Sequence, residues 1–253
     1  MKVDDPGLLY GATVFTTLRV YHSCLDYPLT NWVAHCDRLK SSLQAFAWQL
    51  PDWQGLRCGA ESLLKYYPIL RITIFPDGRG LILGRHLPDN LQQLQQFGAI
   101  ATVSSPSFNR SLALEKTGNY LAPWLARKEA LELGANETIL TDRDRNWLET
   151  STGNLWGYKA GIWFTPPLSA GILPGIVRSQ LLDYLRDLNF KICENPWDWD
   201  LVTSLKAIAY SNSVVELIPF HTIISDRPNG TLNFDPNFAS LEILRSFFTR
   251  KAL

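Results

Sequence analysis

The sequence has few cysteines, no excess of either charge and no long apolar run. Its four cysteines, Cys24, Cys36, Cys58 and Cys193, are scattered, with neither a C-x-x-C pair nor a metal-ligand spacing. This pattern predicts a reduced, cytoplasmic protein without a metal site. Basic and acidic residues number 24 each, and no basic stripe appears, so we expect no nucleic-acid partner. The N-terminus shows no secretory pattern and no apolar span is long enough to cross a bilayer, so we expect no membrane partner.

What is present is an ordinary globular composition in a chain of 253 residues, with 46% hydrophobic and 19% charged residues. This length suits two modest lobes, each with its own core. Mixed strand and helix patterns predict an α/β (α+β) fold. Ser, Pro and Asn cluster after residue 100, which predicts a small α/β domain over 1–100, a linker over 101–107 and a larger domain over 108–253.

The small domain shows two kinds of periodicity. Residues 11–25 and 69–88 are rich in β-branched and aromatic residues and predict strands, the second pair joined by a turn at Asp77-Gly78. Residues 31–50 carry apolar side chains at helical spacing. On this helix Arg38 precedes Leu39 on the inner side. It is either a rim arginine whose stem packs on the core or a clamp for a phosphate group, which suits guanidinium geometry.

The larger domain contains the densest pattern of candidate site residues, between Trp147 and Arg178. Glu149 lies at a strand end, and a second strand is closed by a double proline. The step Gly175-Ile176-Val177 then opens a helix, whose unpaired backbone N–H groups can hold a phosphate. Taken alone, this stretch is better explained as a strand, a turn and a capped helix with no binding role. A closing amphipathic helix is predicted over 239–253.

Two further features are weak when each is taken alone. Lys116 precedes an amphipathic helix and is next to Gly118 and Asn119; an isolated lysine of this kind is usually a surface charge. Ser211-Asn212-Ser213 ends a predicted strand, where its hydroxyls and amides could meet an anion, although an ordinary Ser/Asn turn explains the run as well.

Taken in order, these blocks resemble a known family. The sequence contains H-C-D-R-L around Arg38, K-T-G-N at Lys116, W-L-E-T-S-T-G-N-L around Glu149, then I-L-P-G-I-V-R and S-N-S-V-V-E-L-I-P. This order is similar to that of the fold-type IV pyridoxal-phosphate enzymes, the class IV aminotransferase family. The resemblance covers nearly the whole chain and implies the two-domain fold of D-amino-acid aminotransferase-like enzymes.

The resemblance implies a role for each residue. Lys116 is expected to form the covalent imine with pyridoxal 5'-phosphate and then to move protons at the substrate carbon. Glu149 is expected to pair with the pyridine nitrogen. The cofactor phosphate is expected to bind Arg38, the N–H groups of Ile176 and Val177, and Ser213. Asn154 either braces this site or is a turn residue.

Two activities remain open from the sequence. Phe15 to Val20 resembles the matching stretch of 4-amino-4-deoxychorismate lyases, because Thr16 stands where branched-chain aminotransferases have an acid. The spacing from Lys116 to Asn119 also fits the lyase and the D-amino-acid enzymes, whereas G-N-Y and F-T-P-P are similar to branched-chain aminotransferases. We therefore expect a lyase that makes 4-aminobenzoate and pyruvate in folate biosynthesis, with an aminotransferase of branched-chain or D-amino acids as the alternative.

The expected substrate is a small carboxylate. Arg19 is the predicted contact for a substrate carboxylate, ahead of Arg79 and Arg85, each of which could equally be a solvated charge. Thr16 is predicted to hydrogen-bond substrate, although a β-branched strand residue is also explained by packing. The family resemblance further implies a homodimer.

Overall fold

A computed structural model describes residues 3–227 and 230–250, the last without its side chain. The chain forms two compact units. Unit 1 comprises the chain as far as Pro88 together with Glu115–Tyr120, and unit 2 comprises Asp89–Leu114 and the chain from Leu121 onward.

The observed division differs from the predicted one of 1–100, 101–107 and 108–253. Residues Ala99–Val103 form a strand that pairs with two strands of unit 2, so they cannot belong to the small domain. Residues 115–120 return to unit 1 because their backbone bonds to its first strand. Sequence composition locates loops, but it does not show which strands pair.

The described residues of unit 1 form three helices and three strands. Their bounds are α1 Pro6–Leu9, β1 Val14–Arg19, α2 Trp32–Ala45, α3 Trp53–Leu63, β2 Ile69–Ile74 and β3 Gly80–Arg85. The strands form an antiparallel sheet in the order β1-β2-β3. The predicted Asp77-Gly78 turn joins β2 to β3, and Gly78 has a φ of +80°, which favours glycine.

The core of unit 1 lies between one face of this sheet and α2 and α3. Val14 and Leu18 from β1, with Leu70 and Ile72 from β2, pack there with buried helix residues such as Leu39. Because side chains alternate along a strand, Phe15, Arg19 and Arg71 belong to the opposite face. One face of the sheet therefore builds the core while the other presents aromatic and basic side chains.

Unit 2 contains five helices and nine strands within the described residues. Their bounds are α4 Leu91–Phe97, β4 Ala99–Val103, α5 Leu121–Glu132, β5 Glu137–Thr141, β6 Trp147–Thr150, β7 Asn154–Lys159, β8 Ile162–Phe164, α6 Ile176–Asp187, β9 Lys191–Cys193, α7 Trp199–Ser204, β10 Ala207–Asn212, β11 Glu216–Ile224, β12 Thr231–Asn233 and α8 Leu241–Arg250. Short 3-10 turns lie at Pro106–Phe108 and Leu168–Ala170.

The nine strands form one mixed sheet. Strand β10 pairs antiparallel with both β11 and β7, and β11-β4-β5-β6-β7 completes a closed ring of strands. Such closure leaves few unpaired edges, and large apolar side chains are buried on both faces of the sheet, among them Trp156 and Phe220 at 0% exposure. Strand β6 and the N-terminus of α6 are thereby fixed to one framework.

The C-terminal helix is observed as α8, Leu241–Arg250. Residues 251–253 of the predicted helix lie outside the described residues. Within the described part of the chain, none of the helices has the length and apolar character needed to span a bilayer, and no group of three or more metal-ligating side chains comes together. The α/β fold class predicted from the sequence is confirmed.

Candidate active site

Lys116 lies on a segment that extends the small sheet of unit 1. Its carbonyl accepts a 2.8 Å hydrogen bond from the N–H of Phe15, and Thr117 forms a bridge with Val14. Gly118 is required at its position, because a Cβ there would lie 2.2 Å from Thr13 Oγ1. The backbone of Lys116 is thus held by β1 rather than by the helix that follows it in sequence.

Aromatic rings surround the Lys116 amine. Its Nζ lies 4.9 Å from the ring centroid of Phe15 and 5.4 Å from that of Tyr120, and these two rings pack edge to face at 5.8 Å. Contact with the faces of aromatic rings is attractive for a cation. The half-buried lysine is therefore oriented by its surroundings, unlike a solvated surface charge.

Arg71 lies on the same aromatic platform and was not identified from the sequence. Its Cζ is 3.5 Å from the Phe15 ring centroid, and no carboxylate among the described residues pairs with it. Burial lowers the pKa of Arg71, and nearby Arg85 lowers it further, while Tyr120 acts in the opposite direction. A charged residue within the apolar run I-L-R-I-T-I was the available sequence signal.

Arg38 is fixed by a buried polar chain on the other face of β1. Its Nη2 donates a 2.7 Å hydrogen bond to Thr16 Oγ1, which lies 2.5 Å from His35 Nδ1. Burial lowers the pKa of His35 well below its usual value, and the charges of Arg38 and Lys116 add to this effect. His35 is therefore neutral and can accept the Thr16 proton, leaving the Thr16 oxygen to accept from Arg38.

This placement favours a positioning role for Thr16. Its side chain is 0% exposed and faces α2, so it orients the Arg38 guanidinium, whereas the sequence predicted a substrate contact. Of the predicted carboxylate contacts, Arg19 is half-buried with its Cζ 4.8 Å from the Tyr21 ring. Arg79 is paired with Asp5 and Asp77, and Arg85 is exposed.

In unit 2, Glu149 is a buried carboxylate with donors on both oxygens. Oε1 accepts from Arg110 Nη1 at 2.8 Å, and Oε2 accepts from the N–H of Leu173 at 3.1 Å, with Asn154 Nδ2 at 3.5 Å. Asn154 also donates to the Leu173 carbonyl at 2.9 Å. Asn154 therefore connects Glu149 to the loop that leads into α6.

The N-terminus of α6 provides a site for an anion. Its N-cap Gly175 offers no side-chain acceptor, so the first N–H groups, including those of Ile176 and Val177, have no helical partner. A Cβ at residue 175 would lie 2.0 Å from Asn154 Oδ1, so the helix starts directly against Asn154. A phosphate fits this donor set and the helix dipole.

The three residues Ser211–Ser213 at the end of β10 differ in their contacts. Ser211 is buried and accepts from Trp156 Nε1 at 2.9 Å, and Asn212 Oδ1 accepts from the N–H groups of Val214 and Val215. These two residues stabilise the turn. The Ser213 hydroxyl makes no hydrogen bond to any described residue and is available to an anion.

The lysine that contacts aromatic rings belongs to unit 1, whereas the buried carboxylate and the helix start without a side-chain cap belong to unit 2. Each is a kind of group that a covalently attached phosphate-bearing cofactor uses. The profile of the amino-transferase class IV family matches residues 13–223, and the chain belongs to this family. It is an enzyme dependent on pyridoxal phosphate, the cofactor of the family.

Individual relatives differ in activity. The chain is 25% identical over 241 residues to an aminodeoxychorismate lyase of Bacillus subtilis, covering 87% of this chain and 80% of that protein. It is 23% identical over 240 residues to a branched-chain-amino-acid aminotransferase of Pseudomonas aeruginosa, covering 85% and 77%. A solved structure of a hypothetical aminotransferase from Mycobacterium tuberculosis in its PLP-bound form superposes with a TM-score of 0.81 at 18% identity, covering 99% and 92%. The predicted family and fold are confirmed.

Proposed function

We propose that this enzyme is a lyase that converts 4-amino-4-deoxychorismate to 4-aminobenzoate and pyruvate. The main observation behind this choice is Arg71, a half-buried guanidinium on the same phenylalanine ring as the Lys116 amine. Its charge has no carboxylate partner among the described residues of the chain. A buried cation of this kind is suited to an anionic ligand, and the proposed substrate carries two carboxylates.

Cofactor binding is assigned to the motif residues described above. The phosphate is held by Arg38, kept in place by Thr16 and His35, and by the N–H groups of Ile176 and Val177 with Ser213. The Glu149 carboxylate accepts a hydrogen bond from the ring nitrogen. Asn154 keeps Glu149 and the start of α6 in register.

The chemistry at Lys116 follows from its position. The Lys116 amine would hold the cofactor through its aldehyde, and with substrate bound the same amine would accept the proton from substrate C4. The bound cofactor supplies a ring that withdraws electrons from that carbon. Breaking of the C3–O bond releases enolpyruvate, which is protonated to pyruvate as the six-membered ring becomes aromatic. The two products together contain the atoms of the substrate, so no water and no oxidant are required.

Substrate orientation is assigned to basic residues on the face of the β1-β2-β3 sheet opposite to its core. Arg71 binds one carboxylate, and Arg19 is the candidate for the second. The Phe15 and Tyr120 rings, which pack edge to face beside the Lys116 amine, supply a planar surface for the six-membered ring of the substrate.

The alternative is an aminotransferase acting on branched-chain or D-amino acids with a 2-oxo acid. The Pseudomonas aeruginosa relative supports it, because its match also covers most of this chain. The two activities differ in one half-reaction. An aminotransferase given an amino acid alone converts its cofactor to the pyridoxamine form, whereas a lyase returns the cofactor as the aldehyde.

The experiment is to supply aminodeoxychorismate, made in place from chorismate and glutamine by a synthase. 4-Aminobenzoate is measured by fluorescence and pyruvate by a coupled dehydrogenase, with Lys116→Ala as the control. We expect both products in equal amounts and none with the variant. Absence of 4-aminobenzoate, combined with formation of the pyridoxamine form from an amino acid, would establish the aminotransferase instead.

We also propose a homodimer. Unit 2 exposes a group of large apolar side chains between 53% and 61%, namely Leu112, Leu114, Leu121 and Trp124, and exposed apolar patches mark interfaces. Light scattering is expected to give twice the monomer mass. A monomer with full activity would contradict this proposal.

A further inference from the structure

Arg110 forms a buried ion pair with the carboxylate that we assign to the cofactor ring. Its Nη1 donates to Glu149 Oε1 at 2.8 Å, and the two side chains are 5% and 6% exposed. Arg110 follows the 3-10 turn Pro106–Phe108, whereas Glu149 lies on β6. Two segments distant in sequence therefore converge on one carboxylate.

The other donors to Glu149 already fix the carboxylate. The Leu173 N–H and the Asn154 amide, both neutral, lie on the side of Oε2. Arg110, by contrast, is a charged donor to Glu149. Each carboxylate oxygen has two lone pairs, so Oε1 can accept from Arg110 and still accept one more N–H group. The Oε1 atom therefore keeps acceptor capacity for a ring nitrogen in addition to the guanidinium.

We propose that Arg110 shares the Glu149 carboxylate with the cofactor ring nitrogen and thereby limits how tightly that nitrogen holds its proton. The proposal rests on the assigned role of Glu149 in cofactor binding. A positive charge on one carboxylate oxygen offsets part of the negative potential that stabilises a protonated ring. Arg110 is thus a positioning residue that adjusts the electron-withdrawing strength of the cofactor through Glu149, without contacting the substrate.

The test uses the holoenzyme loaded with pyridoxal phosphate labelled with nitrogen-15 in the ring. The nitrogen chemical shift reports ring protonation directly, and its pH midpoint is measured independently of turnover. Arg110→Gln removes the charge, and Arg110→Lys keeps it. Arg178→Gln is the matched control, because Arg178 is also buried at 4% exposure in an ion pair, with Glu194, and makes no contact with Glu149.

We expect Arg110→Gln to raise the midpoint by about one pH unit, because a full charge a few ångström away is worth at least that much at an effective dielectric constant of about 20. Arg110→Lys and Arg178→Gln should keep the wild-type midpoint, although Arg178→Gln lowers the melting temperature. An unchanged or lower midpoint in Arg110→Gln overturns the proposal. A shifted midpoint in Arg110→Lys also overturns it, even if Arg110→Gln cannot be purified.

The result for Arg110 can be distinguished from success or failure of the proposed lyase activity. A raised midpoint in Arg110→Gln without 4-aminobenzoate formation by the wild type would support the role of Arg110 and refute the lyase. Failure of the wild type to bind pyridoxal phosphate would overturn both. A nitrogen signal that does not change in Glu149→Gln would also overturn the role of Arg110, because that role acts through this carboxylate.

Discussion

Replacement of Arg71 by glutamine tests the assignment of the substrate-binding face. The change removes the charge and keeps a hydrogen-bond donor beside the Phe15 ring. Two unit charges about 4 Å apart interact by about 4 kcal/mol at an effective dielectric constant of ~20. Because Arg71 is only half-buried, we reduce this to about 2–3 kcal/mol, which corresponds to about a 30- to 150-fold loss.

The loss is expected in kcat/KM for aminodeoxychorismate, measured from initial rates of 4-aminobenzoate formation. Cofactor affinity should remain at the wild-type value, because Arg71 is not assigned to pyridoxal phosphate. Arg85→Gln is the matched control, since Arg85 is an exposed arginine on the neighbouring strand β3, and it should lose less than about threefold. Full kcat/KM in Arg71→Gln, or equal losses in the two variants, would exclude Arg71 as the residue that binds a substrate carboxylate.

Three further changes test the supports of the site. Thr16→Val removes the hydroxyl between Arg38 and His35. The loss of these buried hydrogen bonds should lower the free energy of unfolding, measured in urea, by about 1–3 kcal/mol and should weaken pyridoxal phosphate binding in a fluorescence titration. Unchanged affinity would contradict the assigned orientation of Arg38. Gly118→Ala should lower the melting temperature more than Gly59→Ala, because a Cβ at residue 118 would lie 2.2 Å from Thr13 Oγ1, whereas the nearest atom to a Cβ at residue 59, in helix α3, is at 3.1 Å. The reverse order would be inconsistent with the packing described. Burial depresses the pKa of His35 in the folded state, so the unfolded chain takes up the proton first, and each pH unit between about 6.5 and the folded pKa should remove about 1.4 kcal/mol of stability. The free energy of unfolding, measured in urea at pH 5 and 7.5, should therefore differ less between the two pH values in His35→Gln than in the wild type. An equal difference would exclude His35 as the cause.

The sequence predicted the local elements of the fold well because their periodicity is a local property. Apolar spacing located α2 within the predicted 31–50, and the Asp77-Gly78 turn located the β2-β3 hairpin. The division into domains was predicted less well, because it depends on pairing between distant segments. Strand β4 pairs with β11, more than 110 residues away, and no composition signal reports such a partner.

The candidate site shows the same contrast. The blocks around Arg38, Lys116 and Glu149 were recognised because their order along the chain resembles a family. Arg71 and Arg110 were not identified, because the contact on which each role depends is with a residue distant in sequence. Arg71 lies on the Phe15 ring across a strand pair, and Arg110 reaches Glu149 on another segment. Thr16 was assigned to substrate because an alternating strand pattern does not show which face is covered by a helix.

Attachment of the cofactor to Lys116 is tested most simply by borohydride reduction of the purified protein with pyridoxal phosphate, followed by mass spectrometry of its peptides. We expect a visible absorption band that reduction abolishes and a single phosphopyridoxyl group on Lys116. A colourless protein that stays colourless with added cofactor, or a label on another side chain, would contradict it.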